Sequence, residues 1–219
     1  MEHHHFSRRS FIFRVSLIII AVLFGVLTFF AKQNPYFSID LTITKAIQSV
    51  NYIWFDLLMR IITQLGNPIT GSLISGVVVA YLLIKKLYKE GLILLVSVIG
   101  GYLISEVFKN LVSRARPDPT LIHQIGSFIR TDSFPSGHVM FYISFFGLLL
   151  FLAFTHLSKN LYRNLAIIFF LTLIILIGPS RIYVGAHWFS DVLGAYLIGS
   201  LWLTVVISLY NHLHLRGDR

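Results

Sequence analysis

The chain has 219 residues, a formal net charge of +9 and 56% hydrophobic residues, with a mean hydropathy of +0.77. That is too apolar for an ordinary soluble domain, and it leaves room for several membrane spans of about 20 apolar residues each. Cysteine is absent, which excludes disulfides and thiolate chemistry. In so apolar a chain the basic excess points to cytoplasmic loops and anionic lipid rather than to nucleic acid.

In chain order, His3–His5 read as part of a solvated tail. Arg8, Arg9 and Arg14 then lead into an apolar run from Phe11 to Ala31. The run is long for the hydrophobic part of a secretion signal, and Thr28–Phe29–Phe30–Ala31 lacks the small residue a cut after Ala31 requires. It reads as a retained transmembrane helix. Five further spans are expected at about 69–84, 91–113, 137–156, 164–180 and 190–211, making an all-α, polytopic membrane protein of one domain over 1–219. Between the first two spans, Asp56, Arg60 and Gln64 recur every fourth position, as do Asp40, Thr44 and Gln48. Each trio shares a helical face. These segments read as short amphipathic helices on the membrane surface, with Tyr36, Tyr52 and Trp54 at headgroup depth. Gly66–Asn67–Pro68 breaks the chain before the next span.

On this topology one side carries Arg8, Arg9, Lys85, Lys86, Lys89, Lys159, Arg163, Arg216 and Arg219. The other carries Lys32, Lys45, Arg60, Lys109, Arg114, Arg116, Arg130 and Arg181. Setting aside Lys109, Arg116 and Arg181 as chemistry-bearing, the first side is cytoplasmic by the positive-inside rule. Both termini then face the cytoplasm. Three polar strings, in separate loops, reach the outer face.

The first string runs from Lys109 to Pro117. A third span continuing to Arg116, with Pro117 stopping it, would project Lys109 and Arg116 from one face two turns apart; snorkelling at a helix end is the plainer reading of the lysine. Glu106, one turn before Lys109, is placed to hold it or simply to offset its charge. In the second string, Pro135–Ser136–Gly137–His138, Pro and Ser suit a helix start. Free amides, a glycine and a hydroxyl together make an anion cradle, and His138 one residue deeper can pass a proton to whatever the cradle holds. The third string is Ser180–Arg181, then His187 and Asp191. Four residues apart, Asp191 can fix the His187 tautomer and leave one ring nitrogen free to attack; an interfacial histidine with a capping aspartate is the plainer alternative. His-x3-Asp also has workable zinc spacing, but three neighbouring cations oppose a dication. Arg181 offers a fork for phosphoryl oxygens. Together these residues describe a phosphoryl-transfer site without a metal, gaining most of its stabilisation from Lys109, Arg116 and Arg181.

Lys-x6-Arg-Pro, Pro-Ser-Gly-His and Ser-Arg-x5-His-x3-Asp, complete and in this order, resemble the motifs of the type-2 phosphatidic acid phosphatase superfamily. Small size makes the chain similar to its bacterial membrane lipid phosphatases of the phosphatidylglycerophosphatase B kind. The resemblance implies a phosphohistidine mechanism. His187 would attack phosphorus, Asp191 would orient it, and His138 would protonate the leaving oxygen and later activate water. Lys109, Arg116, Ser136, Gly137 and Arg181 would hold the phosphoryl oxygens. No metal, cofactor or obligate protein partner is expected.

The expected substrate is phosphatidylglycerophosphate in a bacterial cytoplasmic membrane. The alternatives are undecaprenyl diphosphate, or transfer of the phosphate to another acceptor. Within the 118–134 loop, Ile122, Ile125, Phe128, Ile129 and Phe134 read as lining for the entry or as packing beneath the loop. A haloperoxidase of this motif pattern would be soluble, a transporter would carry its charges at mid-span, and a non-catalytic relative would lack a motif residue. None of these fits the sequence.

Overall fold

A computed structural model describes residues 2–126 and 132–217, with side chains for 11–126 and 132–214. Phe128, Ile129, Arg130 and Arg219, and the side chains of His3–His5, Arg8, Arg9 and Arg216, lie outside these described residues; the backbone of His3–His5 belongs to the first helix. The elements are helices: α1 (Glu2–Gln33), α2 (Ser38–Gln48), α3 (Ile53–Leu65), α4 (Pro68–Ile84), α5 (Tyr88–Val112), α6 (Gly137–Tyr142), a π turn (Ile143–Gly147), α7 (Leu148–His156), α8 (Leu161–Tyr183) and α9 (Phe189–Gly217). Among the described residues the sole β pairing is an isolated bridge between Ala115 and Asp132.

Five stretches are long and apolar enough to cross a membrane: Phe11–Gln33, Tyr88–Val112, Gly137–His156, Leu161–Tyr183 and Phe189–His214. Taken as one unit bent by 64° at their junction, α3 and α4 are together long and apolar enough to make a sixth. Asn67 makes that bend a helix start. Its side chain accepts from the Ile69 amide at 3.1 Å, and Pro68 occupies the first turn, where no amide partner is needed. Large apolar side chains on the outer faces stay exposed, among them Val22, Ile69, Val77 and Ile168. Lipid is the medium that covers such a girdle.

The core gathers around α6, the π turn and α7, wrapped by α5, α8 and α9. Two places where the helical ladder fails are repaired by side chains, as burial in an apolar medium demands. At the π turn, Ser97 of α5 donates to the Ser144 carbonyl at 2.7 Å. In α8, Pro179 has no amide to give the Ile175 carbonyl one turn back; the Tyr196 hydroxyl lies 3.4 Å from that carbonyl and donates to the neighbouring Ile174 carbonyl at 2.6 Å. A smaller apolar group of Phe24, Ala31, Val112 and Phe134 ties α1 to the end of α5. Phe134 is therefore packing rather than cavity wall, while Ile125 does line the cavity described below.

The polar trio on α2 faces protein rather than water. Asp40 and Thr44 are fully buried. The Gln48 amide donates to the carbonyls of His123 (2.6 Å) and Tyr183 (2.9 Å), and its oxygen accepts from the His123 amide at 3.1 Å. On α3, Arg60 pairs with Asp56 at 2.8 Å, both partly exposed, while Asp56 also accepts from the Tyr183 hydroxyl at 3.1 Å and Gln64 lines the cavity described below.

α5 meets α9 where Gly100 leaves room for Trp202. A Cβ at residue 100 would lie 2.2 Å from the indole ring, and that ring is fixed by its Nε1–H donating to the Ser97 carbonyl at 2.8 Å. Gly100→Ala is therefore expected to lower stability by about 1–3 kcal/mol through overpacking, read as a fall in the thermal midpoint of the purified protein in detergent. An unchanged midpoint would contradict this account of the helix contact.

Candidate active site

Four segments meet at one end of the bundle: the end of α5, the start of α6, the end of α8 and the turn into α9. They surround a cavity of about 860 Å³ lined by Lys109, Arg116, Gly137, His138, Arg181 and His187, with Glu106 beside Lys109. All the charged and imidazole groups singled out as phosphate-handling thus converge, apart from Asp191, which stands behind His187.

Local geometry explains each placement. α5 ends at Val112, because Ser113 takes a left-handed backbone (φ 51°, ψ 40°) and its amide returns to the Lys109 carbonyl at 2.8 Å. The expectation of a helix running on to Arg116 is corrected here: the stop comes four residues before Pro117. Arg116 reaches the site on a non-helical segment, held by Nη1 donating to the Ala186 carbonyl at 2.7 Å. Lys109 stays on the helix, its Nζ 3.2 Å from Glu106 Oε1.

Ser136 starts α6 with extended backbone but does not cap it through its side chain. Its Oγ is buried and has no hydrogen-bond partner among the described residues, so the hydroxyl remains available. A Cβ at Gly137 would sit 3.3 Å from Lys109 Nζ, so glycine lets the lysine close over the helix start. Arg181 is buried at the end of α8, where Nη1 donates to Thr63 Oγ1 at 2.7 Å. The turn to His187 depends on Gly185, at φ +70°, where a Cβ would meet the His123 carbonyl at 2.4 Å.

His187 is buried. Arg116 Nη1 lies 3.3 Å from its Nε2. A guanidinium only donates, so Nε2 accepts and the ring proton belongs on Nδ1. Nδ1 is 3.7 Å from Asp191 Oδ2, within electrostatic reach but longer than a hydrogen bond. Burial pushes the imidazole well below its ordinary pKa, and the charges of Arg116, Arg181 and Lys109 push it further, opposed only by the Ser133 backbone. The ring is neutral at neutral pH, as a nucleophile needs to be.

Asp191 is held on every side. Its Oδ2 accepts from the Trp188 amide at 2.9 Å, its Oδ1 accepts from Arg114 Nη1 at 2.6 Å, and its own carbonyl accepts from the Ser136 amide at 3.2 Å. Arg114 and Asp40 are the residues that sequence reasoning missed. Arg114 counted there only as a loop charge and Asp40 only as part of a surface stripe. The available signal was a second arginine inside the Lys109–Pro117 string and a carboxylate in an otherwise apolar segment. Among the described residues, no three His, Cys, Asp or Glu side chains converge in a way that would hold a metal ion.

Comparison with known proteins agrees with this geometry. The chain is 28% identical over 187 residues to phosphatidylglycerophosphatase B of Bacillus subtilis (strain 168), covering 84% of this chain and 90% of that protein. It is 28% identical over 196 residues to an undecaprenyl-diphosphatase of Sulfolobus acidocaldarius, covering 85% and 86% respectively. The crystal structure of a transmembrane PAP2-type phosphatidylglycerolphosphate phosphatase from Bacillus subtilis superposes with a TM-score of 0.77 at 25% identity, over 90% of this chain and 96% of that one. Residues 90–214, more than half of the chain and all three motifs, match the PAP2 superfamily. The chain belongs to that superfamily and is a multi-span membrane phosphatase.

Proposed function

We propose that the chain hydrolyses a membrane lipid phosphate through a phosphohistidine, with phosphatidylglycerophosphate as substrate and phosphatidylglycerol as product. The observation that carries this reading is the course of the cavity. It begins among Lys109, Arg116, Arg181 and His187 and continues past Gly71, Val98, Ile99 and Tyr102 on α4 and α5. Ile99 and Tyr102 are themselves largely exposed on the outer face. A phosphate can therefore sit in the cationic pocket while apolar chains lie toward lipid. Gln64, Asn67 and Ser72 line the same cavity, the amide and hydroxyl chemistry that suits a glycerol headgroup.

In the reaction the substrate oxyanion draws Arg116 from His187 Nε2, exposing the lone pair. Nε2 bonds to phosphorus as the bond to the lipid oxygen breaks, and His138 gives that oxygen a proton. Lys109, Arg116 and Arg181 neutralise the charge spread over the equatorial oxygens, with the Ser136 hydroxyl and the amides beside Gly137 completing the cradle. Asp191 steadies the charge that His187 acquires on bonding to phosphorus, and Glu106 fixes Lys109. His138, neutral after that donation, next takes a proton from water, whose oxygen bonds to phosphorus as the N–P bond breaks, releasing inorganic phosphate and returning His138 to its protonated form and His187 to its neutral one.

The cycle needs no metal, cofactor or protein partner. The site lies on the extracytoplasmic face of a bacterial cytoplasmic membrane with both termini cytoplasmic, a reading supported by the lysine and arginine distribution. The similarity to the undecaprenyl-diphosphatase over 85% of this chain favours a second reading, in which the leaving group is a polyprenyl phosphate.

Purified protein in detergent, given phosphatidylglycerophosphate, phosphatidic acid and undecaprenyl diphosphate in turn, is expected to release inorganic phosphate fastest from the first. Fastest release from the third selects the second reading, and release from none defeats both. His187→Ala should abolish turnover and the phosphoenzyme, and EDTA should leave the native rate intact; a strict magnesium requirement would contradict the mechanism. The pH dependence follows from His187. Its active form is neutral and its pKa is lowered, so the acid limb of kcat/KM should lie below the ordinary imidazole value of about 6.5. An acid limb above that value would contradict the electrostatics.

A further inference from the structure

Behind Asp191 stands a second carboxylate from a part of the chain outside the superfamily match. Asp40 lies on α2, well before residue 90 where that match begins, yet it is fully buried against the start of α9. Its Oδ1 accepts from the Ser190 amide at 2.8 Å. Its Oδ2 accepts from the Ser190 hydroxyl at 2.8 Å, from Arg114 Nη2 at 3.1 Å and from the Phe37 amide at 2.9 Å. Arg114 is buried too, with Nη1 donating both to Ser190 Oγ at 2.7 Å and to Asp191 Oδ1 at 2.6 Å. Its Nε donates to the Asn34 carbonyl at 3.1 Å. Two carboxylates and one guanidinium thus form a closed, buried chain whose last link faces His187.

The charge arithmetic gives this chain a purpose. Arg114 alone would cancel Asp191, leaving no net negative charge behind the imidazole to balance the positive charge His187 gains when it bonds to phosphorus. Of the groups that face the cavity around His187, Arg116, Arg181, Lys109 and His138 supply none, and the Glu106 carboxylate is engaged by Lys109 at 3.2 Å. With Asp40 included the three charges sum to −1, so Asp191 stays an effective anion while Arg114 holds its orientation. We propose that Asp40 is a positioning residue for the phosphatase reaction: acting through Arg114 and Ser190, it keeps Asp191 oriented and net negative behind His187. A purely architectural α2 would need only apolar packing at this point, because a buried ion cluster is costly to assemble and seldom more stable than apolar residues of the same shape.

The proposal rests on the reading of His187 as nucleophile and Asp191 as its support. The test uses the full-length protein in detergent micelles with a short-chain phosphatidylglycerophosphate. Rates are expressed per folded molecule, from the monodisperse fraction and its thermal midpoint. Asp40→Asn keeps the size and most of the hydrogen bonding but takes the cluster to zero net charge. It should lower kcat about tenfold or more with KM within about twofold, as for an interaction made in the transition state. It should also move the acid limb of kcat/KM to lower pH by about half a unit to one unit, because the imidazolium loses its counter-charge. Ser190→Ala removes a neutral link instead, so kcat should fall several-fold while the acid limb stays in place.

Asp40→Asn with native kcat per folded molecule and an unmoved acid limb overturns the proposal. If Asp40→Asn yields no monodisperse protein, Ser190→Ala decides: native kcat there overturns it, and reduced kcat with native KM supports it. His187→Ala run in parallel separates the two levels. Turnover without His187 defeats the underlying mechanism, whereas a dead His187→Ala beside a fully active Asp40→Asn defeats this inference alone.

Discussion

Three cations share one cavity, and their mutual repulsion is the constraint around which the rest of this structure is arranged. Lys109, Arg116 and Arg181 converge from three separate segments, in surroundings where water cannot screen them as it would at an exposed surface. Such a grouping has to be held together by something else until a phosphate arrives. Glu106 anchors the lysine, the Ala186 carbonyl and the neutral His187 ring occupy Arg116, and Thr63 occupies Arg181. These restraints fix donors in the directions phosphoryl oxygens need, which is what electrostatic preorganisation means in structural terms.

The same constraint accounts for the helical scaffold around the cavity. Each cation is delivered by a helix end or by the chain just beyond one, where backbone groups have no intrahelical partners and the chain can turn. Ser113 and Gly185 take the positive φ values at two of these turns. Placing the chemistry at the ends also leaves the spans themselves apolar enough for lipid.

Much of this was legible in the sequence, and what was not has a common cause. Apolar runs of span length mark the long helices because hydropathy is a local property, readable within one window. The three polar strings mark the site for the same reason. The α5 stop at Ser113 was hidden, because serine has no strong preference for left-handed backbone and Pro117 offered the more obvious terminator. Asp40 and Arg114 were hidden more deeply. Their partners lie some 75 to 150 positions away in sequence, and a four-residue polar period looks the same whether the face it marks meets water or a buried guanidinium. Periodicity identifies a face; it does not identify what covers it.

The π turn at Ile143–Gly147 divides one span into two pieces that are out of phase. One residue more than an α-helix requires has been fitted into the ladder, so the side chains before and after the turn are offset by about 100° around the axis. The upper piece, α6, can therefore aim His138 at the cavity while the lower piece, α7, turns Leu148 and Leu152 into the core. Without that slip a single helix face would have to serve both the polar end and the apolar middle of the bundle. The span behaves as two short helices joined by a rotational offset, and a change in that offset would re-aim the histidine without altering any residue that touches it.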